Sequence, residues 1–383
     1  MYECIVIGAG IEGSATAYNL AKGGTKGVLL LEQYEACHNR GSSCGQSRIT
    51  RRAYETLFYV EMMTDAYKMW SDLEKEAGTT LYKRTGVMVF GGNGDPYVQQ
   101  TIKSMKIANI PHDVLSGAEI NRRFPKQMKI PDDYMCVIEE DAGILYAQKA
   151  LRAMQEQFQK MGGTLLDRHE VTEIVPGDIV TVVTNRGLFK ANYVVIAAGP
   201  WAPALCSSIG VHLPFKVSRI EVGYWRVEDP TLFDSSTFPT FLYADGEGHF
   251  RYYGLPIEEY PGLLKVCAHF GPNVDPDNRD AVGGPVTSSM TSKFINGTFR
   301  GVQKKPSITE FCMYTVSPDD APVIDKHPQH DNIIIAAGFS GHGFKLSPVF
   351  GKLLSQLVMK KTPSHDLHPF RLSRFLSTFM SKL

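Results

Sequence analysis

Hydrophobic residues in the first 80 positions fall into two kinds of run. Residues 4–7 and 28–31 are continuous apolar stretches, which are typical of buried parallel strands. Residues 57–77 instead carry an apolar residue at every third or fourth position, namely Phe58, Met62, Ala66, Trp70 and Leu73. That spacing places one apolar stripe along a helix. The N-terminal part of the chain is therefore predicted to alternate strands and helices around a shared core.

The same signals return after residue 145, with a different pattern between them. We predict a helix over 146–161, strands at 164–166, 171–174, 179–183, 193–198 and 332–337, and a helix ending near residue 359. Residues 214–315 alternate apolar and polar positions and are rich in aromatic residues, which favours an antiparallel sheet. Between residues 80 and 145, Ser116 and Glu119 have the spacing of a helix capping box.

These patterns predict an α/β (α+β) fold of two domains. The first is discontinuous, over 1–80, 145–213 and 320–383, because strand and helix alternation resumes after an interruption. The second comprises 81–144 and 214–319. With 383 residues, the chain exceeds the size at which one hydrophobic core usually suffices.

Three glycines join the first predicted strand to the first helix. Gly8, Gly10 and Gly13 have the G-x-G-x-x-G spacing, and Glu32 ends the second strand about 20 residues later. Such a turn brings a pyrophosphate to the helix N-terminus, and the acid accepts a ribose hydroxyl. An ordinary strand–helix turn is the alternative. The second strand and its acid favour a dinucleotide site.

Composition narrows the choice of partner and compartment. Lys plus Arg equals Asp plus Glu, 40 each, so no long-range field favours nucleic acid or an anionic membrane. The seven cysteines form no C-x-x-C pair, which suits a reducing compartment. No apolar run is long enough to cross a membrane, and the first strand begins at once, so we expect a soluble intracellular protein without a leader. Ser381, Lys382 and Leu383 match the address read by the peroxisomal import receptor.

Several residues carry possible chemistry with two interpretations left open. Arg48, Arg51 and Arg52 form either a solvated turn or an anion site. Lys265 lies on an apolar strand, either on a solvated face or as a buried cation that faces developing negative charge. Cys312 is in a strand where most cysteines are inert. The glycine-rich segment 338–345 precedes a helix, so it offers a second helix N-terminus to a cofactor.

Seven stretches of the chain, taken in order, resemble one known family. They are GAGIEGSATAYNLAK, RGSSCGQSRITRRAY, TGVMVFGG, YYGLP with LLKVCAHF, FCMYT, and DNIIIAAGFSGHGFKLSP. Together they resemble the monomeric sarcosine oxidase family of covalent flavoproteins, and within it the animal peroxisomal branch. The resemblance implies a Rossmann-like FAD-binding domain of the D-amino-acid-oxidase/glutathione-reductase type beside an antiparallel-sheet substrate domain. It also implies a monomer.

The resemblance assigns roles to individual residues. Arg51 and Lys345 match the pair that binds the substrate carboxylate, and Lys265 matches the lysine that activates oxygen. Cys312 matches the cysteine whose sulfur is bonded to the 8α-methyl group of FAD. Four further positions match residues that shape the substrate pocket: Tyr253, Tyr314, His269 and His342.

The resemblance also implies an FAD-binding set spread over both ends of the chain. Arg48 matches an arginine near the flavin ring, whereas Cys44 stands where relatives carry histidine, and Ala321 and Pro322 replace a more polar and aromatic pair. The full set is Gly8, Gly10, Ile11, Gly13, Glu32, Gln33, Ser42, Ser43, Cys44, Arg48, Val171, Ala198, Gly199, Trp201, Cys312, Gly341, Gly343 and Lys345.

The implied reaction is oxidation of a secondary or cyclic amino acid by FAD, followed by reoxidation with O2. Sarcosine would give glycine, formaldehyde and H2O2, and L-pipecolate would give a cyclic imine and H2O2, with L-proline a further candidate. No metal is expected. The alternatives are an FAD-dependent amino-acid dehydrogenase, a flavoprotein without turnover, and, at the level of fold, an NAD-linked dehydrogenase.

Overall fold

The computed structural model describes residues 1–281 and 283–375. Its strands, numbered in chain order, are β1 (Tyr2–Ile7), β2 (Val28–Leu31), β3 (Ser47–Thr50), β4 (Tyr82–Arg84), β5 (Val87–Gly91), β6 (Asp113–Ser116), β7 (Met135–Glu139), β8 (Gly143–Tyr146), β9 (Thr164–Leu166), β10 (Val171–Val175), β11 (Val180–Thr184), β12 (Gly187–Ile196), β13 (Lys216–Arg226), β14 (Thr240–Ala244), β15 (Phe250–Leu255), β16 (Leu263–Ala268), β17 (Ile308–Val316), β18 (Val323–Lys326) and β19 (Ile333–Ala337).

The α-helices include the amphipathic helix predicted at 57–77, whose residues Met62, Ala66, Trp70 and Leu73 are buried. The α-helices are α1 (Ile11–Lys22), α2 (Leu57–Ala77), α3 (Pro96–Ile107), α4 (Gly117–Arg123), α5 (Ala147–Lys160), α6 (Ala202–Ser208), α7 (Ser288–Thr298) and α8 (Gly343–Val358). The capping box before α4 is confirmed, because Ser116 and Glu119 each bond the other's backbone. Within the described ranges, no helix is long and apolar enough to span a membrane.

The first sheet has the strand order β10-β11-β12-β1-β2-β9, with β19 also paired to β12 and β18 to β19. The pairs among β19, β12, β1, β2 and β9 are parallel, so the carboxyl ends of these strands share one edge of the sheet. One face of the sheet packs against α1, α2, α5 and α8, and the other against α6. Ligands of such sheets bind beyond that shared edge.

The second sheet has the order β17-β13-β16-β15-β14-β5-β7-β6 and is antiparallel except where β14 pairs with β5. The antiparallel character predicted for residues 214–315 is confirmed, and so is the overall fold class. A small third sheet, β3-β8-β4, was not predicted. Strands β6, β7 and β18 were also missed, because short strands of this kind carry little periodicity.

Candidate active site

The β1–α1 turn is built around two close backbone approaches. Gly8 has φ +99°, and a Cβ atom there would lie 2.5 Å from the carbonyl oxygen of Ala197. A Cβ atom at Gly13 would lie 1.8 Å from the carbonyl oxygen of Gly8. Both positions therefore require glycine. The turn packs against the end of β12 and directs the N-terminus of α1 toward the shared edge of the first sheet.

Glu32 lies at the carboxyl end of β2 and is bonded to this turn. One carboxylate oxygen accepts the N–H of Ala9 at 2.9 Å, and the other accepts the N–H of Tyr34 at 3.1 Å. The hydroxyl of Ser43 accepts the N–H of Ile11 at 2.9 Å, in the first turn of α1. The acid thus has a fixed position at the edge of the sheet, where the sequence predicts a ribose-binding group.

A cavity of about 750 Å³ joins this turn to the second sheet. Its walls include all of the sequence-predicted site residues except Gly13, which lies under the turn, and His342. The nucleotide end is lined by Gly8, Gly10, Ile11, Glu32, Gln33, Ser42, Ser43, Val171, Ala198, Gly199 and Trp201. The other end is lined by Cys44, Arg48, Arg51, Tyr253, Lys265, His269, Cys312, Tyr314, Gly341, Gly343 and Lys345.

Two buried cations face this second end. Arg51 is 2% exposed, donates to the Tyr97 hydroxyl at 3.0 Å, and has its guanidinium 3.9 Å from the centre of the Tyr54 ring. Lys345, on α8, donates from Nζ to the Tyr54 hydroxyl at 3.0 Å and to the Gly341 carbonyl at 3.1 Å. No described carboxylate lies within 4 Å of either cation. Two buried basic side chains with no described carboxylate within 4 Å form a candidate site for an anion.

The protonation of neighbouring groups follows from these charges. Burial, together with the charges of Arg51 and Arg48, holds the pKa of Lys345 well below its ordinary value. Desolvation and the charges of Lys345 and Arg51 lower the pKa of His269 to about 3. His269 is therefore a neutral imidazole at physiological pH, and a bound anion would favour the charged form of Lys345.

Lys265 is buried on β16, so the solvated-face interpretation of this lysine is wrong. Its ammonium lies 2.7 Å from Oε1 of Glu259 and 3.3 Å from the Ser47 hydroxyl. The sequence did not predict the acidic partner, because Glu258 and Glu259 are adjacent in a loop and their directions depend on the fold. The cation nevertheless remains on the cavity wall.

Cys312 lies on β17 beside Cys44, which is in the loop before β3. The neighbouring Cys44 side chain and the charges of Arg48 and Lys265 lower the pKa of the Cys312 thiol against the effect of burial. The Cys44 thiol itself lies 3.1 Å from the Gly41 carbonyl oxygen, to which it donates. Carbonyl groups of Ser42 and Ser47 hold the Arg48 guanidinium at 3.0 and 2.8 Å. Cys312 therefore has the environment of a reactive cysteine.

The remaining predicted residues differ in their access to the cavity. Tyr253 and Tyr314 are joined through their hydroxyls at 3.4 Å, and the His269 ring lies 5.1 Å from that of Tyr314. His342 lies behind the wall, with Nδ1 3.2 Å from the Tyr54 hydroxyl and its ring stacked 4.8 Å from Tyr59. Sequence reasoning did not single out Tyr54, which contacts both buried cations, because its chain neighbours gave no sign of that position.

The residues present fit FAD. Glycine at positions 8, 10, 341 and 343 removes side chains from the approaches to the N-termini of α1 and α8, and all four glycines line the same cavity. The cavity runs from Glu32, the acid predicted to bind a ribose, to Cys312. This length suits an extended dinucleotide whose far end carries an aromatic ring system. A nicotinamide dinucleotide needs no cysteine of this kind.

Comparisons with known proteins agree with this geometry. The family described as FAD dependent oxidoreductase (DAO) matches residues 3–357. A peroxisomal sarcosine oxidase of Mus musculus is 45% identical over 381 residues, which cover 98% of this chain and 96% of the relative. A monomeric sarcosine oxidase of Arthrobacter sp. (strain TE1826) is 35% identical over 379 residues, covering 97% and 96%. The solved structure of NikD, an unusual amino acid oxidase essential for nikkomycin biosynthesis, has a TM-score of 0.82 at 23% identity and covers 97% of both chains.

Proposed function

Since this chain belongs to the FAD dependent oxidoreductase (DAO) family and is an FAD-dependent oxidase acting on CH–NH donors, we propose that it oxidises small secondary or cyclic amino acids. L-Pipecolate, sarcosine and L-proline are the candidate substrates, and O2 is the acceptor. The observation that carries this proposal is the pair of buried cations without a carboxylate partner, Arg51 and Lys345. An amino acid supplies the missing carboxylate.

Arg51 and Lys345 orient the substrate by its carboxylate. An arginine presents a planar fork to a carboxylate, and a lysine adds a point charge. With the carboxylate held there, the amine and its adjacent C–H lie among Tyr253, Tyr314 and the neutral His269. A neutral imidazole accepts a hydrogen bond from an amine N–H, and oxidation requires the amine lone pair to be free.

Bound in this cavity, FAD would supply the two-electron chemistry that links oxidation of the amine to reduction of O2. We propose that Cys312 carries the covalent bond to the 8α-methyl group, because a thiolate is the nucleophilic form of cysteine and the surroundings of Cys312 favour it. Lys265 is proposed to stabilise the anion that forms as O2 accepts electrons. Because its charge is already fixed in a poorly hydrated wall, the surrounding groups need not rearrange when that anion forms. Arg48 adds a second positive charge near Cys312.

Peroxide release by purified protein tests the substrate assignment, with L-pipecolate, sarcosine and L-proline offered in parallel. We expect peroxide from at least one of them. Arg51→Gln and Lys345→Met should each raise KM about 10- to 100-fold, since each loses hydrogen bonds to a charged group. Arg84→Gln, an arginine with a 59% exposed side chain, should leave KM unchanged. Unchanged KM in both cavity variants would refute the carboxylate site.

The covalent bond is tested by acid denaturation followed by gel filtration. Wild-type protein should remain yellow, whereas Cys312→Ser should release its colour into the small-molecule fraction. Cys136→Ala, in the core of the second sheet, should keep the colour with the protein. If colour stays with the Cys312→Ser protein, another residue carries the cofactor.

A separate outcome would favour a dehydrogenase over an oxidase, namely bleaching of the flavin by an amine without formation of peroxide.

We also propose that the protein is a peroxisomal monomer. Curated relatives at 45% and 43% identity are named peroxisomal, and peroxide production suits that compartment. The tripeptide Ser381, Lys382 and Leu383, the predicted contact for the import receptor, lies outside the described residues. Removal of these three residues from a fluorescent fusion should disperse it through the cytosol. Punctate fluorescence of the truncated fusion would refute the address, and light scattering reports the oligomeric state.

A further inference from the structure

The Lys265 ammonium is one half of a buried ion pair. Its Nζ lies 2.7 Å from Oε1 of Glu259, and the two side chains are 8% and 5% exposed. Among the described residues, the cavity lining includes Lys265 but not Glu259. The ammonium therefore borders the cavity, whereas the carboxylate that binds it does not.

Glu259 is held by donors from three strands. Lys265 on β16 and Ser47 on β3 donate to Oε1, and the Tyr224 hydroxyl on β13 donates to Oε2 at 2.7 Å. The Tyr224 ring also lies 5.6 Å from the Lys265 ammonium. A carboxylate fixed by three donors has one position, and it therefore fixes the ammonium that it binds.

The negative charge of Glu259 compensates the positive charge of buried Lys265. A lysine in a poorly hydrated wall tends to lose its proton unless an anion lies beside it. Burial alone raises the pKa of Glu259, but the charge of Lys265 and the bonds from Lys265, Ser47 and Tyr224 leave that pKa below its ordinary value. The acid is thus an anion at physiological pH. The other titratable or charged groups near Lys265 are Tyr224 on β13, Cys267 on β16, and Glu310 and Cys312 on β17.

We propose that Glu259 is a positioning residue that holds the Lys265 ammonium against the cavity wall and so sets the rate of the reaction with O2. The inference rests on the proposed role of Lys265. In the overall reaction, the amine loses two electrons and two protons, from its C–H and N–H bonds, as a C=N bond forms, and O2 takes up those two electrons and two protons as H2O2. Glu259 acts only on the oxygen half of this reaction, because the carboxylate site lies with Arg51 and Lys345.

The two half-reactions separate this role from a structural one. Glu259→Gln keeps the shape of the side chain and removes its charge. We expect the rate of anaerobic bleaching by the amine to change less than twofold. The rate at which O2 restores the colour should fall tenfold or more, because the ammonium loses the anion that fixes its position.

Glu258 offers a matched control in the same loop. Its carboxylate pairs with Lys83 at 2.8 Å and accepts from the Tyr146 hydroxyl at 2.6 Å, without contacting Lys265. Glu258→Gln should leave the O2 rate unchanged. Glu259→Asp, which retains the charge with a shorter reach, should give an intermediate O2 rate and serves if the glutamine variant does not fold.

A double-mutant cycle with Lys265→Met completes the test. If Glu259 acts through the lysine, Glu259→Gln should have no further effect on the O2 rate in the Lys265→Met background. The shifts of the urea unfolding midpoint should also be non-additive, which is a readout independent of turnover. Equal slowing of both half-reactions, or additive effects with Lys265→Met, would overturn the proposal. An unchanged O2 rate in Lys265→Met alone would refute the proposed role of Lys265 itself, and this inference with it.

Discussion

Tyr54 connects the two cations that define the candidate carboxylate site. It is fully buried, its hydroxyl accepts from Lys345, and its ring lies under the Arg51 guanidinium. These contacts orient both cations but neutralise neither. Because a buried ammonium is costly without an anion, the charge on Lys345 depends on whether the site is filled.

Ligand binding should therefore be coupled to proton uptake. The pKa of Lys345 is depressed by burial and by Arg51 in the absence of an anion, and a bound carboxylate raises it again. The protein should take up a proton on binding a carboxylate inhibitor, and affinity should fall as pH rises. Calorimetry in buffers of different ionisation enthalpy measures this uptake.

Lys345→Met is the control for that measurement. It should abolish the uptake and weaken binding about 10- to 100-fold. A Lys345→Met protein with the same proton uptake as wild type would assign the proton to another group.

At the scale of elements, β7 fixes the segment that carries Arg51. Its last residue, Glu139, is fully buried, and one carboxylate oxygen accepts the N–H groups of Arg52 and Ala53 at 2.8 and 2.9 Å. The strand before these residues, β3, carries Ser47 and Arg48. The Glu139 carboxyl group thereby fixes the path of a segment with two contributions to the candidate site. Arg51 belongs to the candidate carboxylate site, and Ser47 and Arg48 lie near Lys265 and Cys312.

Glu139 should make the stability of the protein depend on pH. Burial, opposed by those backbone donors, raises its pKa from 4.5 to about 7. The contribution of Glu139 to the free energy of unfolding is therefore complete below about pH 4.5, and it is lost as the pH rises through 7. The free energy of unfolding of wild type should fall by roughly 3 kcal/mol relative to Glu139→Gln across this interval.

Urea unfolding at pH 5 and pH 8 measures the difference. Glu140→Gln, at the next position with a 66% exposed side chain, should follow wild type at both pH values. Parallel pH profiles for wild type and Glu139→Gln would show that Glu139 is ionised throughout.

At the scale of the whole molecule, one cavity is lined by residues of all three sheets. The turns after β1 and β19 contribute from the first sheet, β3 from the small sheet, and β13, β15, β16 and β17 from the second. An extended cofactor that filled this cavity would contact residues of all three sheets. Its binding should therefore stabilise the molecule as a unit.

Thermal unfolding of Cys312→Ser protein, freed of its cofactor, tests this expectation. FAD at 100 times its Kd should stabilise the protein by about 2.7 kcal/mol. ADP, which can fill only the nucleotide end, is the matched control ligand and should leave the second sheet as susceptible to proteolysis as in the free protein. Equal protection of that sheet by ADP and FAD would contradict a cofactor that reaches both ends.

Local signals determined what could be predicted from the sequence. The apolar strand, the glycine spacing and Glu32 predicted the β1–α1–β2 unit, and Ser116 and Glu119 predicted the start of α4, because these structures depend on residues close together in the chain. The family resemblance gave the positions of Arg51, Lys265, Cys312 and Lys345 in advance. Their chemical roles stay proposals.

Only the tertiary structure decided how these residues are paired. Arg51 and Lys345 are distant in sequence, and Tyr54 joins them through contacts that no local pattern encodes. Glu258 and Glu259 are indistinguishable in sequence, yet one pairs with half-buried Lys83 and the other with buried Lys265. The reason is physical: backbone conformation depends on near neighbours, whereas the charge and access of a side chain depend on whichever strands the fold brings against it.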